Sequence, residues 1–142
     1  MTDANLYWAP VLEFQQKHGC YARLGWRKDG LTAEGYWGQL LIMPVQGYLE
    51  AGAAPEPIRT IEWVDLCAVR VSVWTEGSAN PIRGSFRGHP LQIIDFTDQI
   101  LAELQGLPLA WEERNGALTT GSINDEPVRT IRFRNPYGPS PL

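Results

Sequence analysis

The chain has 142 residues, 44% of them hydrophobic and 20% charged, which is the usage of one globular domain and too little chain for two ordinary ones. Twelve Lys/Arg against sixteen Asp/Glu give a net charge of −4, split evenly as six bases and eight acids in each half. That spread excludes the basic tail or polarised half that marks nucleic-acid and membrane-surface proteins.

The first residues, Met1-Thr2-Asp3-Ala4-Asn5, lack the basic and apolar regions of a secretory signal, so a cytoplasmic location is expected. A helix is predicted over 9–18. Pro10 suits its first turn, Val11, Phe14 and His18 form one stripe, and Gly19 stops it. Asp3 is placed to cap a preceding turn. Residues 20–27 and 31–37 alternate with period two around Lys28-Asp29-Gly30, and Asp-Gly tolerates the positive φ angles of a tight hairpin. Leu40–Met43 reads as a buried strand ended by Pro44, too short to span a membrane.

Residues 51–57, rich in Ala and Pro, read as a surface loop. The strongest strand signal follows, from Ile58 to Trp74. It is too long for a single strand and predicts a break near 65–68. Residues 77–90 read as loop with a short strand around Phe86. A helix is predicted over 96–105, with Asp95 as cap and Ile100, Leu101 and Leu104 as its apolar stripe. Strands 109–114 and 117–120 flank Asn115-Gly116, a favoured hairpin dipeptide, and 128–134 is the last strand. Together these predict one α+β domain over 1–135, mainly antiparallel sheet with two helices packed on one face, and an extended Pro-rich tail over 136–142. The hexad Glu56-Pro57-Ile58-Arg59-Thr60-Ile61 recurs as Glu126-Pro127-Val128-Arg129-Thr130-Ile131, read as two strands entered through the same loop-to-strand chemistry.

Reactive groups are sparse. His18, at a helix end, reads as a structural cap. His89 shares a loop with Arg83 and Arg87, a group that could meet a phosphate or carboxylate but reads as a solvated loop. Cys20 and Cys67 show neither zinc-ligand spacing nor a nucleophile signature and are expected to be reduced and buried. Phosphate-loop, dinucleotide-binding and nucleophile-elbow motifs are all missing, so no cofactor or metal is expected. Glu62 and Asp65 flank Trp63. Adjacent Glu112 and Glu113 would face opposite sides of a strand, as would Arg129 and Arg132.

Six tryptophans stand out, because indole concentrates in cores and at interface hot spots. Between Asp29 and Glu50, aromatics and acids alternate with glycines. Asp29, Glu34, Tyr36, Trp37, Tyr48 and Glu50 are the residues expected to meet a protein partner. The strand Ile61-Glu62-Trp63-Val64-Asp65-Leu66 follows a proline-containing loop. Downstream stands Leu107-Pro108-Leu109-Ala110-Trp111-Glu112-Glu113-Arg114-Asn115-Gly116. Over 56–66 and 98–120 this resembles an uncharacterised family of small bacterial α+β domains, some assigned as immunity proteins encoded beside secreted toxins. The resemblance implies a toxin or effector as partner and brings no active-site residues. Two other readings stand beside it. One is a small enzyme or ligand-binding domain using His18, His89 and a carboxylate in a cleft. The other is a structural subunit that assembles through a strand edge.

Overall fold

A computed structural model describes residues 4–51, 54–107, 109–120 and 123–136, with the side chains of 4–6, 115–120 and 123–128 left out. Helix α1 (Ala4–His18) leads into the hairpin β1 (Tyr21–Lys28) and β2 (Leu31–Glu34). Three short strands follow, β3 (Leu41–Ile42), β4 (Tyr48–Ala51) and β5 (Glu56–Pro57), then a 3-10 turn over Ile58–Thr60. Next come β6 (Ile61–Cys67), β7 (Val69–Val73), β8 (Ile82–Phe86), β9 (His89–Asp95) and helix α2 (Thr97–Leu104). The long hairpin β10 (Glu112–Thr120) and β11 (Ile123–Arg134) completes the fold. The main sheet has five strands in the order β10-β11-β6-β1-β2, with small three-stranded sheets β3-β4-β5 and β7-β9-β8 beside it. All pairings are antiparallel, so the α+β architecture expected from the sequence is the one observed.

Period-two alternation decides which side of the main sheet meets the helices. Ala22 and Leu24 of β1, Val64 and Leu66 of β6, and Ile131 and Phe133 of β11 face one way. There they bury against Trp8, Val11 and Phe14 of α1 and Ile100 and Leu104 of α2. Gln15 is the polar member of this interior. Its Nε2 donates to the carbonyls of Cys20 (2.5 Å) and Gln39 (2.9 Å), and its Oε1 accepts from Leu41 N–H (3.1 Å). One side chain thus ties α1 to the chain entering β3 and satisfies backbone groups that burial would otherwise orphan.

Four expectations are corrected. The helix predicted over 9–18 begins at Ala4, so Pro10 lies inside it and not in its first turn. Burial of Trp8 and Val11 one turn apart outweighs the backbone hydrogen bond that proline removes. Asp3 lies outside the described residues. Asn115-Gly116 is not a turn, because Asn115 pairs with Arg129 and Gly116 with Val128, and the strands meet where Thr120 pairs with Ile123. That longer hairpin is consistent with the register that brings Ile131 opposite Leu66 and Phe133 opposite Val64, in the core. Strand β9 was not anticipated, since Leu91-Gln92-Ile93-Ile94 has no clean alternation. Finally, the repeated hexad adopts two conformations. Its first copy bends through the 3-10 turn, whereas its second runs straight within β11.

Other expectations hold. Asp29 (φ 53°) and Gly30 (φ 76°) form the tight β1–β2 turn. The long apolar run breaks at Ala68, where the chain passes from the main sheet into the β7-β9-β8 sheet. Asp95 caps α2 from one residue further out, its Oδ1 accepting from Thr97 N–H at 2.9 Å. Of the predicted tail, 137–142 lies outside the described residues.

Candidate functional site

The face of the main sheet turned away from the helices is organised around one acid. Asp65 stands mid-strand in β6, with β1 on one side and β11 on the other. The two registers place Arg23 and Arg132 both directly opposite it. The residue is 0% exposed, and its carboxylate accepts from Arg132 Nε (2.7 Å) and Nη2 (3.0 Å) and from Arg23 Nε (3.2 Å). Burial works against the charge on Arg132, but hydrogen bonding and attraction to Asp65 outweigh it and hold the guanidinium pKa above its ordinary value. Two guanidiniums against one carboxylate leave a surplus positive charge, which Glu34 Oε2 meets 3.8 Å from Arg23 Nη1.

Aromatic rings complete this layer. The Trp63 ring covers Gly25, its row partner on β1, so closely that a Cβ there would lie 2.2 Å from Trp63 Cε2. Arg132 stacks on the Trp63 ring 3.8 Å from its centroid, and Arg23 lies 4.8 Å from the centroid of Trp37. Chemically, this is a clamp. Three donors from two guanidiniums hold the carboxylate in place, which makes it a structural tie between β1, β6 and β11.

Trp37 reaches the clamp through a bulge. Gly35 N–H donates to Leu24 O, and Gly38 exchanges both backbone bonds with Ala22, so Arg23 alone faces both Tyr36 and Trp37. The extra residue turns Trp37 inward against Arg23 and the cluster of Tyr21, Cys67 and Val69, and throws Tyr36 outward to 79% exposure. Of the residues expected to meet a partner, Glu34, Tyr36 and Trp37 therefore share this outer margin of the main sheet. Asp29 stands exposed at the hairpin tip that begins it. Tyr48 and Glu50 belong to the small β3-β4-β5 sheet, whose Leu49 and Ala51 turn into the helix-side core.

His18 and His89 are not brought together. His18 ends α1, with its Nε2 2.7 Å from Glu103 Oε2 in α2. Its carbonyl accepts from Arg70 (2.6 Å), and Arg70 pairs with Ile94. His89 lies five residues from Ile94 along the same strand, about 17 Å at 3.3–3.4 Å per residue. The adjacent glutamates separate as expected, Glu112 toward Arg134 and Glu113 toward Arg129, which also binds Asp98 of α2. Arg129 and Arg132 likewise serve opposite faces. Sequence reading did not find the clamp. Its one signal was an acid embedded in the apolar run Val64-Asp65-Leu66, a place where an unpaired carboxylate is rarely tolerated.

Cys20 and Cys67 are free and fully buried, and burial pushes both thiols up to about 12 from an ordinary value near 9. Neither is expected to react with iodoacetamide at pH 8 in the folded chain, and both are expected to react in denaturant, as mass spectrometry will show. Because the folded state holds these protons longer than the unfolded state, stability is present below about pH 9 and declines as pH rises toward 12. Replacing both cysteines by alanine removes that alkaline decline.

Among the described residues no cluster of His, Cys, Asp and Glu is arranged to hold a metal ion, and no helix is long and apolar enough to cross a membrane. No protein-family model, curated protein or solved structure matches the chain.

Proposed function

We propose that the chain is a non-catalytic protein-binding domain, a cytoplasmic bacterial immunity protein that neutralises a cognate toxin or effector through the stretch of chain from Asp29 to Glu50. One observation carries the reading. Half of the large apolar side chains exposed among the described residues, Leu31, Tyr36, Leu40, Val45 and Tyr48, fall on this one stretch, which also carries the exposed acids Asp29 and Glu34. Apolar and aromatic area supplies the short-range affinity, and the acids speed approach to a basic surface. The clamp beneath keeps Glu34 and the bulge in place before the partner arrives, so little ordering cost attends binding.

The test is co-expression with the product of the neighbouring reading frame. Growth arrest by that product is expected to be relieved by this chain. Tyr36→Ala is expected to weaken the complex about 30-fold, the size of a hot-spot loss near 2 kcal/mol, without altering thermal stability. The double variant His18→Ala, His89→Ala is expected to protect as well as the parent. Absence of any neutralised product, or loss of activity in the histidine variant, overturns the reading.

A further inference from the structure

The β8–β9 hairpin spends structure on a surface the core does not use. None of the five residues of β8 is buried, and Ile82 (54%) and Phe86 (53%) stand exposed, as does Val73 (51%) of β7 on the far side of β9. Yet its base is held tightly. Gln92, nearly buried, accepts from Ser78 Oγ (2.5 Å) and donates to Ser72 Oγ and the Val73 carbonyl (both 3.2 Å). Trp74 Nε1 donates to the Asn80 carbonyl at 2.9 Å, closing the loop that leads into β8.

The tip is unusual in another way. Its two turn residues are Arg87 (φ 52°) and Gly88 (φ 79°). The β1–β2 turn has the same pair of angles but places aspartate first, a residue that tolerates the left-handed region. An arginine gains nothing there from its own backbone. Strain of this kind persists where the side chain has a use. The Arg87 guanidinium lies 5.2 Å from the Phe86 ring centroid, so cation and ring are presented as one unit, with His89 on the other side of the turn. From Gly77 to Ile94 the sequence has two arginines, one histidine and no acid, in a chain of net charge −4.

We propose that this tip, Phe86-Arg87-Gly88-His89, is a recognition finger for an acidic segment of a protein that pairs carboxylates with apolar side chains. Carboxylates match the arginine fork, and the apolar groups cover Phe86, which shares its face of the hairpin with its cross-strand partner His89. The finger works through its side chains. Strand addition is disfavoured, because the register shift between Ile82 and Ser85 interrupts the β8 edge. A peptide fits better than a nucleic acid or an anionic bilayer, since an extended polyanion would also meet the negative body of the chain. The finger is distinct from the Asp29–Glu50 stretch and does not rest on that reading.

The test titrates the isotope-labelled full chain with a synthetic peptide of alternating Glu and Leu, and in parallel with a single-stranded oligonucleotide and with phosphatidylglycerol vesicles, following backbone amide resonances. The peptide is expected to shift residues 82–89, saturably and more weakly as salt is added. Arg87→Glu is expected to weaken it at least tenfold, and Tyr36→Ala is expected to leave it unchanged. Arg87→Gly is expected to lose binding equally while the melting temperature holds or rises, because glycine relieves the turn. The proposal is overturned by an absence of shifts at the tip, by tighter binding of the oligonucleotide or vesicles, or by a fall in melting temperature in Arg87→Gly, which would make the arginine structural.

Discussion

Replacing Asp65 by alanine is expected to lower the free energy of unfolding by about 3–5 kcal/mol, the range for breaking a buried ion pair from one side. The variant leaves two largely buried guanidiniums facing each other, with Glu34, 3.8 Å from Arg23, and Glu112 left to answer their charge. A domain of this size is stable by about 5–15 kcal/mol in all, so the loss takes a large fraction of the total. Urea denaturation of parent and variant measures it. The companion experiment separates pairing from packing. Arg23→Met, Asp65→Leu and Arg132→Met together are expected to lose far less than Asp65→Ala alone, since desolvating the charges costs about as much as their attraction returns. If the triple variant is the less stable of the two, the clamp contributes net stability beyond the avoidance of unpaired charge.

Gly25→Ala is expected to be the next most damaging small change, at about 2–3 kcal/mol, the upper part of the range for one methyl group forced into a filled core. The added Cβ would lie inside the contact distance of three Trp63 ring atoms, 2.2–2.6 Å away. The indole has no room to retreat, being nearly buried and stacked beneath Arg132. A double-mutant cycle with Trp63→Leu checks the cause. If the clash with the ring is the origin, the alanine costs much less in the leucine background, and the coupling energy has the size of the original loss. Equal costs in the two backgrounds would instead place the effect in the backbone of β1, where a register shift falls between Gly25 and Trp26.

What could be read from the sequence follows the range of the interaction that decides each feature. The Asp29-Gly30 turn was legible because two adjacent residues determine it. The break at Ala68 was legible because a run from Ile58 to Trp74 exceeds the length of a strand. Asn115-Gly116 carries an equally strong local turn signal and is nonetheless extended, because the register of β11 is settled by Ile131 and Phe133 against β6. In α1, likewise, the local cost of Pro10 yields to burial of Trp8. The clamp depends on contacts between residues far apart in the chain. Asp65 stands out as an acid within an apolar run, but Arg23 and Arg132 each look like an ordinary charge in its own strand, and only the two registers bring the three into one row. Tyr36 and Trp37 were legible as an aromatic pair, but the bulge that sends one inward and the other outward was not.

The position of β6 also bears on how the protein is made. Its partners are β1, synthesised some forty residues earlier, and β11, synthesised some sixty-five residues later. During synthesis the middle strand therefore waits with one side unsatisfied while roughly half the protein has yet to leave the ribosome. In that interval Asp65 has Arg23 for company and lacks Arg132. The nascent intermediate is thus a half-built sheet with a sticky flank, the species a chaperone would be expected to shield until the final hairpin swings in and closes it.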